Sequence, residues 1–232
     1  MRVKAWLKGH EFDLAVLAEL LHSGKVQVRK DGQGYFLSSD ELDPLEPGTE
    51  LHEYAGRLVG IANGWARANH PDFRPVALSG RYSDGDHIHS VVVADTIVIR
   101  SRIEAAGIVV GAGGNWQPAQ TTPATERSLP VSNPNIAEAL TIMGKMPFGW
   151  PELYKVFEIV RDDVTTRSIT KLGWATDAEI DAFTASANRP DVSGAAARHA
   201  RMSGNPPRRR MSEADARSFI GRLVTAWIDA NQ

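Results

Sequence analysis

The stretch GAAARHARMSGNPPRRRMSEADA, residues 194–216, places five arginines and a histidine between Arg198 and Arg210 with no acidic residue among them. Arginine carries a planar fork of donors that grips phosphate or carboxylate in two-point contacts, which lysine does not. Every Lys or Arg after Lys171 is an arginine: Arg189, Arg198, Arg201, Arg208, Arg209, Arg210, Arg217 and Arg222. In a chain of formal net charge −2 this is an uneven distribution, and an anion responds to the local field rather than to the total. Two readings stay open for these residues. The arginines around Pro206-Pro207 are either an exposed tether kept soluble by charge or a surface that docks RNA or an acidic protein. In the second case the contacts are Asn188, Arg201, Arg208, Arg209 and Arg210.

Arg198 and His199 are the pair with catalytic potential. A cation beside the imidazole disfavours its protonation. A neutral imidazole can accept a proton from a ribose 2′-hydroxyl while a guanidinium stabilises the charge that develops at phosphorus. That is metal-independent RNA cleavage, with Asn188 and Glu158 as assisting groups. The alternative is a histidine that caps or hydrogen-bonds locally.

Other constellations carry less. His87 and His89 lie two apart in an expected strand and so share a face, but no third ligand stands at an informative spacing, and no metal site is assigned. Gly107, Gly111, Gly113 and Gly114 lead into Gln-Pro and Thr-Pro rather than a helix, without a Walker lysine, so they do not form a phosphate loop. No G-x-S-x-G is present, and no cofactor is implied. Asp162-Asp163 sits near the end of an expected helix, where the dipole disfavours it.

WPELYKVFEIVRDDV, the Asn-containing helix end, GAAARHA and MSEADARSFIGRLVTAWI together resemble the C-terminal part of uncharacterised bacterial proteins and, more loosely, the HEPN-type helical bundles. The resemblance covers roughly residues 134–230. It implies a compact bundle of the kind found in prokaryotic toxins and defence proteins, many of which cleave RNA without metal through an Arg and a His. Arg198 and His199 match that chemistry. In the family pattern the two are separated by about four to six residues on one helical face, whereas here they are adjacent. A non-catalytic member that serves as a binding partner is the other implication.

These residues need elements to hold them. MRVKAWLK alternates Val3, Ala5 and Leu7 against Arg2, Lys4 and Trp6, as a strand does. Glu11–His22 has helical spacing, and KVQVRK-DGQG-YFLSS reads as a hairpin. Thr49–Asn69 is a helix with a stripe of Leu51, Ala55, Leu58, Ala62, Trp65 and Ala66. Two or three strands follow from Phe73 to Ile103, with an SDGD turn, and GIVVGAGG adds another. After a Gly-, Pro- and Thr-rich stretch come helices opened by Pro134 and Pro151. A capping box, Thr176 with Glu179, starts the next, which ends at Asn188-Arg189-Pro190. Gly194–Met202 is expected to be a short helix, and Ser212 with Asp215 caps the last one.

The fold expected is α+β: a module over residues 1–111 with helices on an antiparallel sheet, a linker over 112–131, and an all-α bundle over 132–232. There are no cysteines, which excludes disulfides, thiolate zinc sites and cysteine nucleophiles and suits a reducing compartment. Glu11, Asp13 and Glu19 interrupt the first apolar stretch, so it reads as mature structure rather than a signal peptide. No run is long enough to span a membrane, and the cytoplasm is the expected location. The leading expectation is an interaction protein using the Arg-rich region, in the setting of a prokaryotic defence-type system. The alternatives are a HEPN-like ribonuclease and a structural accessory protein, and self-association is left open.

Overall fold

The computed structural model describes residues 3–85, 87–91, 129–130, 132–164, 168–199, 201 and 209–231. The chain is α+β. A five-stranded antiparallel sheet has the order β2-β3-β1-β4-β5, with β1 at Lys4–Lys8, β2 at Val26–Asp31, β3 at Gly34–Ser39, β4 at Ala77–Asp84 and β5 at His87–Ser90. The hairpin expected around DGQG is β2–β3, paired from Val26↔Ser39 to Asp31↔Gly34. The SDGD turn likewise joins β4 to β5, with Asp84 opposite His87. The expected strands beyond Val91, the glycine cluster Gly107–Gly114, residues 112–128 of the linker, and Arg208 lie outside the described residues.

The sheet's two faces are used differently. Ala5, Leu7, Val26, Val28, Leu37 and Tyr82 join the core. By strand alternation Lys4 and Trp6 point the other way. There Trp6 stands opposite Phe36 across the ladder, with ring centroids 5.5 Å apart, and donates from Nε1 to Ser83 Oγ at 3.0 Å. Lys4 and Arg81 cover these rings. Trp6 is thus buried, although its place in the alternation pairs it with lysine and arginine.

Helix α1 (Glu11–Leu20) and helix α2 (Thr49–Asn69) accompany the sheet. The expected stripe of α2 is buried at every position from Leu51 to Ala66. Its burial extends around the helix from Ile61 to Ala68, because α2 lies between the sheet and the C-terminal helices. Those are α3 (Pro134–Met143), α4 (Trp150–Asp163), α5 (Asp177–Asn188), the short α6 (Pro190–Ser193) and α7 (Glu213–Asp229).

Backbone meets backbone where α2 crosses α3. A Cβ at Gly64 would stand 1.9 Å from the Leu140 carbonyl oxygen, so only glycine admits this approach. Gly221 of α7 similarly packs on Ala68. One continuous hydrophobic cluster consequently runs from Val3 to Ile228, across the expected 111/132 boundary.

Two local expectations are refined. Asp163, at the unfavourable end of α4, accepts from Trp227 Nε1 at 2.8 Å and Asn135 Nδ2 at 2.6 Å. It ties α4 to α7 and α3 and has a structural role. Of the helix expected over Gly194–Met202, the described residues Gly194–His199 form none. A 3-10 turn occupies Gly194–Ala196 and the chain bends through His199. Gly194 adopts φ 60°, a left-handed geometry that ends α6, and Ala197 is already extended.

Candidate functional site

The Arg-rich segment hangs from the end of α5, so α5 comes first. Thr176 Oγ1 accepts from the Glu179 N–H at 3.2 Å while Glu179 Oε2 accepts from the Thr176 N–H at 2.9 Å, the reciprocal capping box its spacing predicts. These hydrogen bonds, the Thr176 backbone donor foremost, hold the Glu179 carboxyl below its ordinary range. Further along α5, Phe183 is fully buried. Its ring lies 5.3 Å from both Phe157 and Phe219, 6.1 Å from Trp150 and 6.2 Å from Tyr154. Helices α4, α5 and α7 are therefore registered on one aromatic side chain.

The last turn of α5 then receives both ends of the Arg-rich segment. Ala187 O accepts from the Arg198 N–H at 2.8 Å. Ser186 Oγ accepts from the Met211 N–H at 2.9 Å, and Ser186 O accepts from Ser193 Oγ. Arg198 and Met211 are thus fastened one residue apart on α5, whose inner face of Ala182, Phe183, Ser186 and Ala187 is buried. Backbone held in this way gives neighbouring side chains a rigid base.

The arginines around it separate into two groups. Arg189 is buried and chelates Asp191 through Nε and Nη2 at 2.9 and 3.0 Å. That hydrogen-bonded pair holds the Asp191 carboxyl below its usual range. Arg198 reaches Glu158 at 3.4 Å and lies 4.3 Å above the Tyr154 ring. Arg217 pairs with Glu213, and Arg222 with Glu179. These four have partners within the fold, although Arg198 and Arg222 are themselves exposed. Arg201, Arg209, Arg210 and His199 are exposed as well, and among the described residues none of them makes a side-chain hydrogen bond. Arg210 stands near enough to Asp191 to help hold its carboxyl down.

The expected catalytic pair is accordingly split. The Arg198 guanidinium is engaged with α4 at Glu158 and Tyr154, and the His199 ring is in solvent. Glu158, expected as an assisting group, holds Arg198 instead. Asn188 remains of interest: its Oδ1 is buried without a hydrogen-bond donor, an arrangement that costs about 1–3 kcal/mol unless something donates to it. His87 and His89 lie on β5, paired with Asp84 and Tyr82, and among the described residues no three metal-ligating side chains gather.

Ser186 and Tyr154 were not accessible to sequence reasoning as site residues. A serine inside a helix and an aromatic on an amphipathic stripe have ordinary local explanations, and only the fold brings them to this region. Among the described residues no helix is long and apolar enough to cross a membrane. Comparison of the chain with protein-family models, with curated proteins and with solved structures finds no match in any of the three.

Proposed function

We propose that this chain is a cytoplasmic binding protein that engages single-stranded RNA through the Arg-rich region 198–210, with Arg201, Arg209 and Arg210 on phosphates and His199 and Asn188 as further contacts. The observation that carries this reading is a contrast between backbone and side chains. The backbone of Arg198 and Met211 is fastened to Ala187 and Ser186, while Arg201, Arg209 and Arg210 are exposed and make no side-chain hydrogen bond among the described residues. A protein interface draws most of its energy from a desolvated apolar or aromatic anchor. The exposed large apolar side chains among the described residues are Phe12, Ile88 and Met146, none of them on this segment. Exposed guanidinium groups suit a polyanionic backbone, where released counterions supply the free energy.

The ribonuclease alternative would need Arg198 at the scissile phosphate, and Glu158 and Tyr154 hold that side chain. The setting of a defence-type system follows only from the HEPN-like resemblance. Binding to a short single-stranded RNA, measured across a salt series, tests the proposal. Affinity is expected to fall steeply with salt. Replacing Arg201, Arg209 and Arg210 by alanine should reduce the slope of log K against log salt by about 2, at about 0.7 per phosphate contact. A flat salt dependence in the wild type overturns RNA binding, and preferential binding of an acidic protein instead would reassign the partner. Cleavage of RNA that survives EDTA and vanishes in His199→Ala would overturn a purely binding role.

A further inference from the structure

A second cationic site stands apart from this region, where α2, the turn after it and α7 meet. Arg67 of α2 is only 6% exposed, yet among the described residues no carboxylate pairs with it. Its Nε donates to Phe73 O at 3.3 Å, and its Nη1 donates to Met143 O at 2.6 Å and Lys145 O at 2.8 Å. Nη2 donates to the Met146 sulfur at 2.9 Å, a weak acceptor, and the guanidinium lies 5.2 Å from the centre of the Phe148 ring. The carbonyls at the end of α3 contribute the partial charge of a helix C-terminus, roughly half an elementary charge. That leaves a buried guanidinium under-compensated, in a place where a full charge is costly without a partner.

The surroundings add positive charge. A cavity of about 180 Å³ is lined by Arg67, Arg74 and Arg217, with Asp72, Met146 and Phe148 among the other walls. Arg217 donates to Phe148 O from Nε and Nη2 and pairs with Glu213. Its Nη1 has no partner among the described residues. Arg74 is exposed at the rim, its backbone N–H held by Asp13 Oδ1 at 3.0 Å. Arginines from three elements therefore line one small space, Arg67 and Arg217 close enough to repel each other, with Asp72 and Glu213 as the nearby carboxylates. Burial, with Arg217 second, pushes the Arg67 guanidinium down to about 10, the direction expected of a cation that lacks an anion.

We infer that this cavity is a binding site for a phosphate group, held by Arg67 at its floor and by Arg74 and Arg217 at its mouth. A planar carboxylate offers two oxygens and satisfies one fork fully. A tetrahedral oxyanion offers acceptors in several directions, which suits lining arginines contributed by α2, the 71–74 turn and α7. The phosphate is either free or the terminal group of a larger molecule. An adjoining cavity of about 470 Å³, which shares Pro71–Arg74 and includes Phe12, gives such a molecule a place to lie.

Isothermal titration of the full chain with inorganic phosphate, AMP and acetate tests this. Saturable phosphate binding is expected, about tenfold weaker in Arg217→Gln and in the rim variant Arg74→Gln, as for loss of one charge-assisted hydrogen bond. Arg74 is exposed, so its variant keeps the fold and remains informative if Arg217→Gln unfolds. AMP binding more tightly than phosphate assigns the site to a phosphomonoester, and binding no more tightly assigns it to the free ion. The inference is overturned by no saturable heat with either, by unchanged affinity in Arg74→Gln, or by acetate binding as well as phosphate. Neither outcome depends on RNA binding by the 198–210 region.

Discussion

Arg67 and the arginines of the 198–210 region are the same side chain in opposite surroundings. Arg67 is buried at a helix crossing, where its donors close the carbonyls of Phe73, Met143 and Lys145. Arg209 and Arg210 are exposed beside Met211, whose backbone N–H is held by Ser186. The first arrangement commits most of the guanidinium donors to tertiary structure, with Nη2 alone left on a weak acceptor. The second commits none of them to a side-chain hydrogen bond among the described residues. Arginine content alone does not separate the two; what separates them is whether the neighbouring backbone has orphan acceptors to offer.

Substitutions should break this contrast in a graded way. Arg67→Met keeps volume but removes every donor to three carbonyls, and it should lower stability by about 3 kcal/mol or more, read by urea unfolding. Little or no loss would mean that those carbonyls find water easily and that Arg67 is not a clamp. Ser186→Ala comes next. It deprives the Met211 N–H of its acceptor and should cost about 1–3 kcal/mol. It should also weaken RNA binding, although Ser186 touches no ligand, and hydrogen exchange at Met211 should accelerate. Intact RNA affinity with faster exchange would show that the stitched base is irrelevant to binding.

Glu179→Ala has a smaller, pH-dependent effect. A carboxyl lowered by folding from its ordinary 4.5 contributes stability that is present above that value. The contribution is lost as pH falls through the depressed folded value. The difference in Tm between wild type and Glu179→Ala should therefore be largest near neutral pH and shrink in acid below pH 4.5. A constant gap would point to packing rather than to the cap. Smallest of all, Arg209→Ala with Arg210→Ala should change stability by no more than about 0.5 kcal/mol while reducing the salt slope of RNA binding. A large loss of stability would place these arginines with Arg67 rather than opposite it.

What could be read from the sequence follows the range of the interaction. Helix α2 runs from Thr49 to Asn69 as its periodicity predicts, and the Thr176–Glu179 and Ser212–Asp215 caps form as their spacing predicts. All of these depend on residues within a turn or two of one another. Arg67 gave no such signal: on a helical wheel it is one more charged residue, and the carbonyls that bury it come from Met143 and Lys145. The separation of Arg198 from His199 also escaped local reading. It depends on Glu158 and Tyr154, and on a left-handed Gly194 that stops the chain continuing as a helix. Of the candidate contacts, Arg201, Arg209 and Arg210 are exposed and Asn188 holds an unpaired oxygen. Their common base on Ser186 had no counterpart in the pattern of residues.

The central position of α2 also bears on the order in which the molecule can be completed. A ribosome delivers the sheet and α2 well before Leu140, Gly144 and Gly221, the residues that close over Gly64, Gly60 and Ala68. During synthesis the nascent chain therefore carries one finished side of α2 and one bare apolar side. Domains that mature from the N-terminus expose such surfaces to aggregation and to chaperones until the remainder emerges. Gly64 thus stays bare until α3 emerges, and Ala68 waits longer still, for Gly221 of α7.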